Sequence, residues 1–339
     1  MRRISVASMV LFLAGLSACG GGGGGGNSLR AYTGVRTAAS LDNTISAGQF
    51  AYAILVPAEA SAVGPGPLSS GNVRGKSSPV SVKSAVLRAV RRIVLPVGNA
   101  ASVRSLALQP RAVYSDTVNG LEGGTARITV STSVWQGGTE YVTRIDAVFS
   151  SFDDTTDGIS DPIDGTMSIV PETWYGDGTP VLDVYVASFD LHVSLDPGTG
   201  GRISGTLDYR PVSGTDPRHV STWNDTLLSD DRTGIQIWWN PLVEVDEDVF
   251  TDKELLTITG TVYISVLGYV TVSPVDPFDY PTSVDLEPVS GKFLLTGNQD
   301  IATVTIQGTV SPEVLIELDR GGDGTIDSTA QSTWQDLAF

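Results

Sequence analysis

The second half of this chain alternates apolar and polar residues with a period of two. The alternation runs through Ala126–Trp135, Tyr141–Phe152, Val181–Leu195, Arg202–Tyr209, Glu254–Val272 and Val314–Leu318. These segments are rich in β-branched, aromatic and Thr residues. Turn-forming clusters such as Gly137-Gly138, Asp157-Gly158 and Asp196-Pro197-Gly198 separate them. Side chains two apart share one face of a strand, so such a stretch forms half-buried strands, at least ten of them in this chain. A repeat sharpens the expectation. Ile-x-Gly-Thr followed by an apolar residue recurs at Ile163–Met167, Ile203–Leu207, Ile258–Val262 and Ile306–Val310, with spacings of 40, 55 and 48 residues. A Gly recurring inside strands marks a bulge, a bend or a close backbone approach, and a series of them curls an antiparallel meander. The expected fold is mainly β: an antiparallel meander forming a strongly curved sheet or open barrel with one N-terminal amphipathic helix. A two-sheet sandwich is the runner-up.

The expected helix is Val82–Leu95. Val82, Ala85, Val86, Ala89, Val90, Ile93 and Val94 fall on one helical stripe, Lys83, Arg88, Arg91 and Arg92 lie off it, and Pro96 ends the run. Such a helix packs its stripe on a sheet or lies on a membrane surface; without Trp or Phe on the stripe, packing on a sheet is favoured. Upstream, Phe50-Ala-Tyr-Ala-Ile-Leu-Val56 before Pro57 reads as a strand, and the Ala-, Gly-, Ser- and Pro-rich stretch Pro57–Pro79 reads as a linker.

The chain opens with Met1-Arg2-Arg3 and an apolar run from Ile4 to Leu16, which is signal-peptide length and too short for a membrane span. Leu16-Ser17-Ala18-Cys19 follows, and then seven glycines, Gly20–Gly26. This arrangement resembles the lipobox of bacterial lipoproteins. The resemblance implies that residues 1–18 are removed and that Cys19 is lipidated (palmitate or a similar acyl chain), anchoring the chain to a membrane. Because residue 20 is Gly and not Asp, it also implies sorting to the outer membrane, on its periplasmic or its surface face. Cys19 is the only Cys, which excludes disulfides, a thiol nucleophile and a thiolate metal site. The glycine tract is a flexible tether with a reach of about 15 Å.

Charge divides the mature chain. Residues 27–111 hold ten Lys/Arg against Asp42 and Glu59, whereas residues 112–339 hold nine basic residues against 36 acids. An acidic body repels nucleic acid, so no nucleic-acid partner is expected, and the basic part can dock on the acidic one. The expected organisation is a signal peptide over 1–18 and a lipidated Cys with a glycine-rich tether over 19–40. A basic segment with strand, linker and helix covers 41–111, and an acidic antiparallel β domain covers 112–339.

The layout is similar to that of a group of bacterial lipoproteins to which no activity attaches. They combine a Cys-polyglycine start, an amphipathic helix and hairpins of the form Phe-x-x-Phe then x-Gly-Thr. They close with a Tyr-Pro-x-x-Gly-like segment and an Asp-rich loop before Trp-x-x-Leu. Here these are Phe149–Thr166, Tyr280-Pro281 with the later Gly291, Asp319–Asp327 and Trp334–Leu337. Many members of the group carry Cys in the hairpins; this chain has Ser and Asp there. The resemblance implies a fold and nothing catalytic.

Chemistry-bearing motifs are sparse. His192 and His219 are the only His, too few for a zinc site, and no Gly-x-Ser-x-Gly elbow or phosphate loop occurs. The chain is therefore not expected to be an enzyme. Two Asp-rich loops place oxygens at calcium-like spacing: Asp319, Asp323 and Asp327, and Asp153, Asp157 and Asp161. Either is a weak structural calcium site or a turn that uses Asp and Gly for their backbone freedom. Trp238 and Trp239 point to opposite faces of any strand that holds them, so one of them is a candidate platform for a sugar or an apolar ligand. The expected role is binding or structural. The alternatives are a carrier or chaperone for a lipid or other hydrophobic ligand, with an apolar cavity beneath the helix, and a carbohydrate-binding surface lipoprotein.

Overall fold

The computed structural model describes residues 31–61, 113–134, 140–153, 162–172, 185–195, 199–211, 218–249, 253–281, 290–307, 313–333 and Leu337. Among the described residues one helix, α1 (Thr44–Ser61), precedes the strands. The first seven strands are β1 (Val113–Asn119), β2 (Gly123–Val134), β3 (Glu140–Asp153), β4 (Ile163–Pro171), β5 (Tyr185–Leu195), β6 (Thr199–Pro211) and β7 (Arg218–Asp230). The remaining seven are β8 (Gln236–Val249), β9 (Lys253–Ile264), β10 (Gly268–Pro281), β11 (Ser290–Thr296), β12 (Ile301–Gln307), β13 (Glu313–Asp319) and β14 (Ser328–Thr333). All fourteen form one antiparallel sheet in sequence order. β1 and β14 each have a single strand neighbour, so the sheet is an open, strongly curved meander, not a sandwich.

The period-two pattern fixes which face is inside. Ile128, Val130, Ile145, Ala147, Met167, Ile169, Ala187, Phe189, Ile258, Val304 and Ile316 are all buried, and the residues between them are not. The outer face carries paired charges. Arg202 makes a two-pronged bond to Asp190 at 2.6 and 2.5 Å across β5 and β6, and Arg144 bonds Asp146 at 2.7 Å. Apolar inside and charged outside is the reverse of a membrane-spanning barrel, whose outward band faces lipid.

The Ile-x-Gly-Thr glycines sit beside bulges. Gly165 pairs with Phe149, and the next pair is Ile163–Phe152, so two residues of β3 oppose one of β4. At Gly205 two residues of β7 oppose one of β6, and beside Gly260 two residues of β8 oppose one of β9. At Gly165 the backbone has φ +124° and an added Cβ would strike the Asp190 carbonyl. Each bulge raises local twist and bends the strand, and three in series curl the sheet. The fourth repeat glycine, Gly308, lies outside the described residues.

The run expected as a strand before Pro57 is instead part of α1, and the helix takes in the first residues of the expected linker. Asn43 caps it: its Oδ1 accepts the Ser46 N–H at 2.9 Å, while Ser46 Oγ donates to the Asn43 carbonyl at 2.8 Å. The reason for the difference is burial on all sides. Ala47, Phe50, Ala51, Ala53 and Ile54 have no exposed surface, and Tyr52 is buried as well. A helix enclosed by a curved sheet carries no polar stripe, so its sequence lacks the amphipathic signal. α1 packs on the inner face of β8, β9 and β11–β14, and Leu337 seals it beside Gly48. The helix expected over Val82–Leu95 lies outside the described residues. Among the described residues, no helix is long and apolar enough to cross a membrane.

Candidate functional site

In an antiparallel meander, every turn from an odd strand to the next even one lies at the same end of the sheet. Among the described residues, the turns β1–β2, β7–β8, β9–β10, β11–β12 and β13–β14 therefore share one rim. The Asp319–Asp327 loop belongs to it. The segment before α1 reaches the sheet there too, as a strap. The Val35 N–H donates to the Ser265 carbonyl at 3.0 Å, Ala39 and Thr37 exchange bonds with Tyr269, and the Asn298 N–H donates to Ala39 at 2.7 Å. The Leu41 N–H then donates to Asp300 Oδ2 at 2.9 Å, and the chain turns inward into α1.

The strap decides the fate of the two tryptophans. They point to opposite faces, as period two requires. Trp239 has no exposed surface; its indole Nε1–H donates to the Ala53 carbonyl of α1 at 3.3 Å, and its ring meets Trp223 edge-on at 6.0 Å. Trp238 is half-buried on the outer face, and the strap covers it. Tyr32 stacks on it with ring centroids 5.3 Å apart, and the Arg36 guanidinium sits 5.3 Å from its ring centroid. Tyr263 lies 4.6 Å from Trp238 and Tyr269 lies 5.1 Å from Tyr263, so the aromatic cluster continues across β8, β9 and β10. Burial pushes the Tyr32 hydroxyl up to about 12, with Arg36 pulling it down and Tyr263 raising it, so this phenol stays neutral at ordinary pH. Its O–H donates to the Val35 carbonyl at 3.0 Å. A ring covered in this way is a clamp for the strap, not an open platform.

The loop Asp319–Asp327 uses its carboxylates on its own backbone. Asp319, itself buried, accepts the Asp323 N–H at 3.1 Å and the Gly324 N–H at 2.8 Å. Asp327 accepts Arg320 N–H at 2.7 Å, and Asp323 accepts Thr325 N–H at 2.8 Å. Asp300, from the neighbouring β11–β12 turn, accepts Gly321 N–H with its other oxygen at 3.1 Å, tying this loop to the strap. Among the described residues, no three His, Cys, Asp or Glu side chains are placed together to hold a metal ion. Asp153 is buried at the end of β3; Asp157 and Asp161 lie outside the described residues, as does Cys19. Charge-assisted bonds of this kind contribute about 1.5–3 kcal/mol each when buried. Asp319→Ala, which removes two such bonds, is therefore expected to lower the melting temperature on the order of 10 °C, at a few degrees per kcal/mol. The turn reading predicts the same drop in calcium and in chelator, measured by differential scanning calorimetry. A drop confined to calcium buffer would make the loop a cation site.

Sequence reasoning missed one polar feature of the interior. Glu244 on β8 has no exposed surface and accepts the Trp223 indole N–H at 2.8 Å. Its signal was present, since Leu242 and Glu244 share a face, but the bulge after Trp239 shifts the parity and hides it. His192 lies on the outer face and bonds Asp231 at 2.7 Å, joining β5 to the β7–β8 turn over Gly200. Both side chains of that pair are about 40% exposed, which makes it a surface tie worth little to stability.

No family model, curated protein or solved structure matches this chain.

Proposed function

We propose that this chain is a lipid-anchored protein of the bacterial outer membrane, held through Cys19, whose β body has a binding or structural role and no catalytic one. The observation that carries the reading is the leader ending in Leu16-Ser17-Ala18-Cys19 and running into seven glycines. The fold is consistent with it. The strap leaves the body at a single rim, so a tether attached there holds the sheet without threading through it. Phe50, Ile54, Trp239, Val262 and Ile316 have almost no exposed surface where α1 meets the sheet, so that region is packed core, while the helix under which a carrier cavity was expected, Val82–Leu95, lies outside the described residues. The carbohydrate reading loses its platform wherever Tyr32 and Arg36 cover Trp238.

Cys19→Ala is the test. In cells making the unchanged protein, most of it is expected in the outer-membrane fraction and to incorporate radiolabelled palmitate. The Cys19→Ala protein should lose the label and leave the outer-membrane fraction, while its body melts at the same temperature. A Cys19→Ala protein that still incorporates the label would overturn the anchor.

A further inference from the structure

We infer that this protein pairs with a second copy of itself through the outer face of β8–β10. Pro274, Val275 and Asp276 of each copy seat on the aromatic cluster and Arg36 of the other. The inference goes beyond the lipid anchor and does not depend on it.

One half of the contact is the aromatic cluster. Trp238, Tyr263 and Tyr269 stand in a row across three adjacent strands, each partly exposed on the outer face. Among the described residues, the Trp238 indole N–H and the Tyr263 and Tyr269 hydroxyls have no hydrogen-bond partner. Arg36 is exposed, sits 5.3 Å from the Trp238 ring centroid, and donates only to the Tyr32 carbonyl, at 3.1 Å. No carboxylate among the described residues pairs with it. Val35, 43% exposed, borders the cluster. Trp, Tyr and Arg beside an apolar margin are the residues that carry most of the energy of protein–protein contacts.

The other half is an arch in β10. Residues 273–277 are exposed without a break, although β10 has a strand neighbour on each side. Val272 is buried and Pro274 pairs with buried Phe293, so strict alternation would turn Asp276 inward as well. A register shift at Val275 instead sets Asp276 opposite Lys292, on the outer face, and a second shift returns Phe278 to the core. Residues 271–277 have no register partner on β9. Asp276 forms no ion pair with Lys292, and Val275, the bulged residue, is 48% exposed. Inside sheets Pro is confined to edges and bulges, and a bulge re-aims side chains. Here the bulges carry two prolines, a valine and a free carboxylate out to the surface.

Spacing and charge select a second copy as the occupant. Asp276 lies seven residues beyond Tyr269 on the same strand, about 20 Å away on the same face. A two-fold axis in the contact plane, midway between them, sets each arch on the other copy's cluster, so the contact is reciprocal and closes at two copies. The sheet curls across its strands, and two convex outer faces meet along a strand direction, which is how the two features are spaced. Arg36 then faces Asp276 in both halves, with the prolines and Val275 against the rings. The chain's formal net charge of −17 opposes self-association, so the complementary pair determines whether it occurs. About a dozen residues a side is fewer than the roughly 20–30 of a standard interface, and the expected Kd is on the order of 10 µM.

Sedimentation velocity of the full chain in nonionic detergent, from about 1 to 100 µM, tests the pairing. The expected result is a reversible monomer–dimer equilibrium. R36D and D276R place like charges at both contacts, and each should weaken the dimer at least about tenfold. An equimolar mixture of the two variants should dimerise about as well as the unchanged protein, because the mixed pair has opposite charges at both contacts. Unchanged protein that stays monomeric to about 100 µM would overturn the inference. So would a dimer that survives both single variants, or a mixture that stays monomeric.

Discussion

Trp239→Ala is expected to lower the unfolding free energy by about 3–5 kcal/mol, the usual cost of emptying a large aromatic site in a packed core. The residue has no exposed surface. Its loss removes the hydrogen bond that ties β8 to the Ala53 carbonyl of α1, and that carbonyl is left buried without this donor. It also removes the edge-on contact with Trp223, a pairing that contributes about 0.5–1.5 kcal/mol beyond its area. A domain's whole stability is about 5–15 kcal/mol, so the variant should fold only marginally. The neighbouring residue supplies the control. Trp238→Ala acts on the opposite face, where Tyr32, Tyr263 and Arg36 surround a half-buried ring. Its expected cost is about 1–2 kcal/mol, in line with partial area loss and one stacking pair. Urea unfolding of both variants measures the difference. Equal losses would mean that β8 does not divide an interior from an exterior at this point.

The second large effect is at Gly260. The residue has φ +146°, and a Cβ there would run into the Pro241 carbonyl and approach Leu242 Cα to 2.9 Å. Gly260→Val meets both obstacles at once. Backbone strain costs about 1–3 kcal/mol, and overpacking against a fixed neighbouring strand costs about 1–3 kcal/mol more. A loss of about 2–6 kcal/mol is expected in the same urea experiment. Gly234→Ala separates the two contributions, because Gly234 also has positive φ, at +69°, but a Cβ would meet nothing within 4 Å. That control should lose about 1–2 kcal/mol from conformation alone. If Gly260→Val lost no more than Gly234→Ala, the close strand approach that bends the sheet would be absent.

These two sites show what the sequence made legible. The bulges were readable because the same four-residue pattern recurs, and only a glycine satisfies a positive φ beside a backbone carbonyl. Alternation was readable in β2 and β3, where one face meets core and the other meets water. It failed in two places for physical reasons. The run from Phe50 to Val56 reads as a buried strand because residues 50–54 of α1 are buried on all sides; an enclosed helix and an enclosed strand are both apolar throughout. Glu254–Val272 reads as one long strand, but it is β9 and β10 joined at Ser265–Leu267. The apolar tip of that turn carries no Asn, Asp or Pro to announce it.

The candidate sites divide in the same way. That Trp238 and Trp239 face opposite sides follows from the pleat alone. That Tyr32 and Arg36 cover Trp238 does not, because those residues lie about two hundred positions away and are joined to it only by the fold. The Asp319 loop shows the limit of spacing arguments. Carboxylates at every fourth position suit a cation and suit backbone N–H groups equally well, and here Asp319 bonds two such amides. Asp300, which joins the loop to the strap, was passed over because it lies in the separate β11–β12 turn.

The claim on which the functional account turns is the covalent anchor, and intact-mass spectrometry of the protein extracted from membranes tests it most directly. The account predicts one chain that begins at Cys19, with residues 1–18 absent and the mass of attached acyl chains on that residue. Mild alkaline hydrolysis should remove the ester-linked part of that mass. A chain that retains Met1, or one that begins near Cys19 with an unmodified thiol, would contradict the anchor.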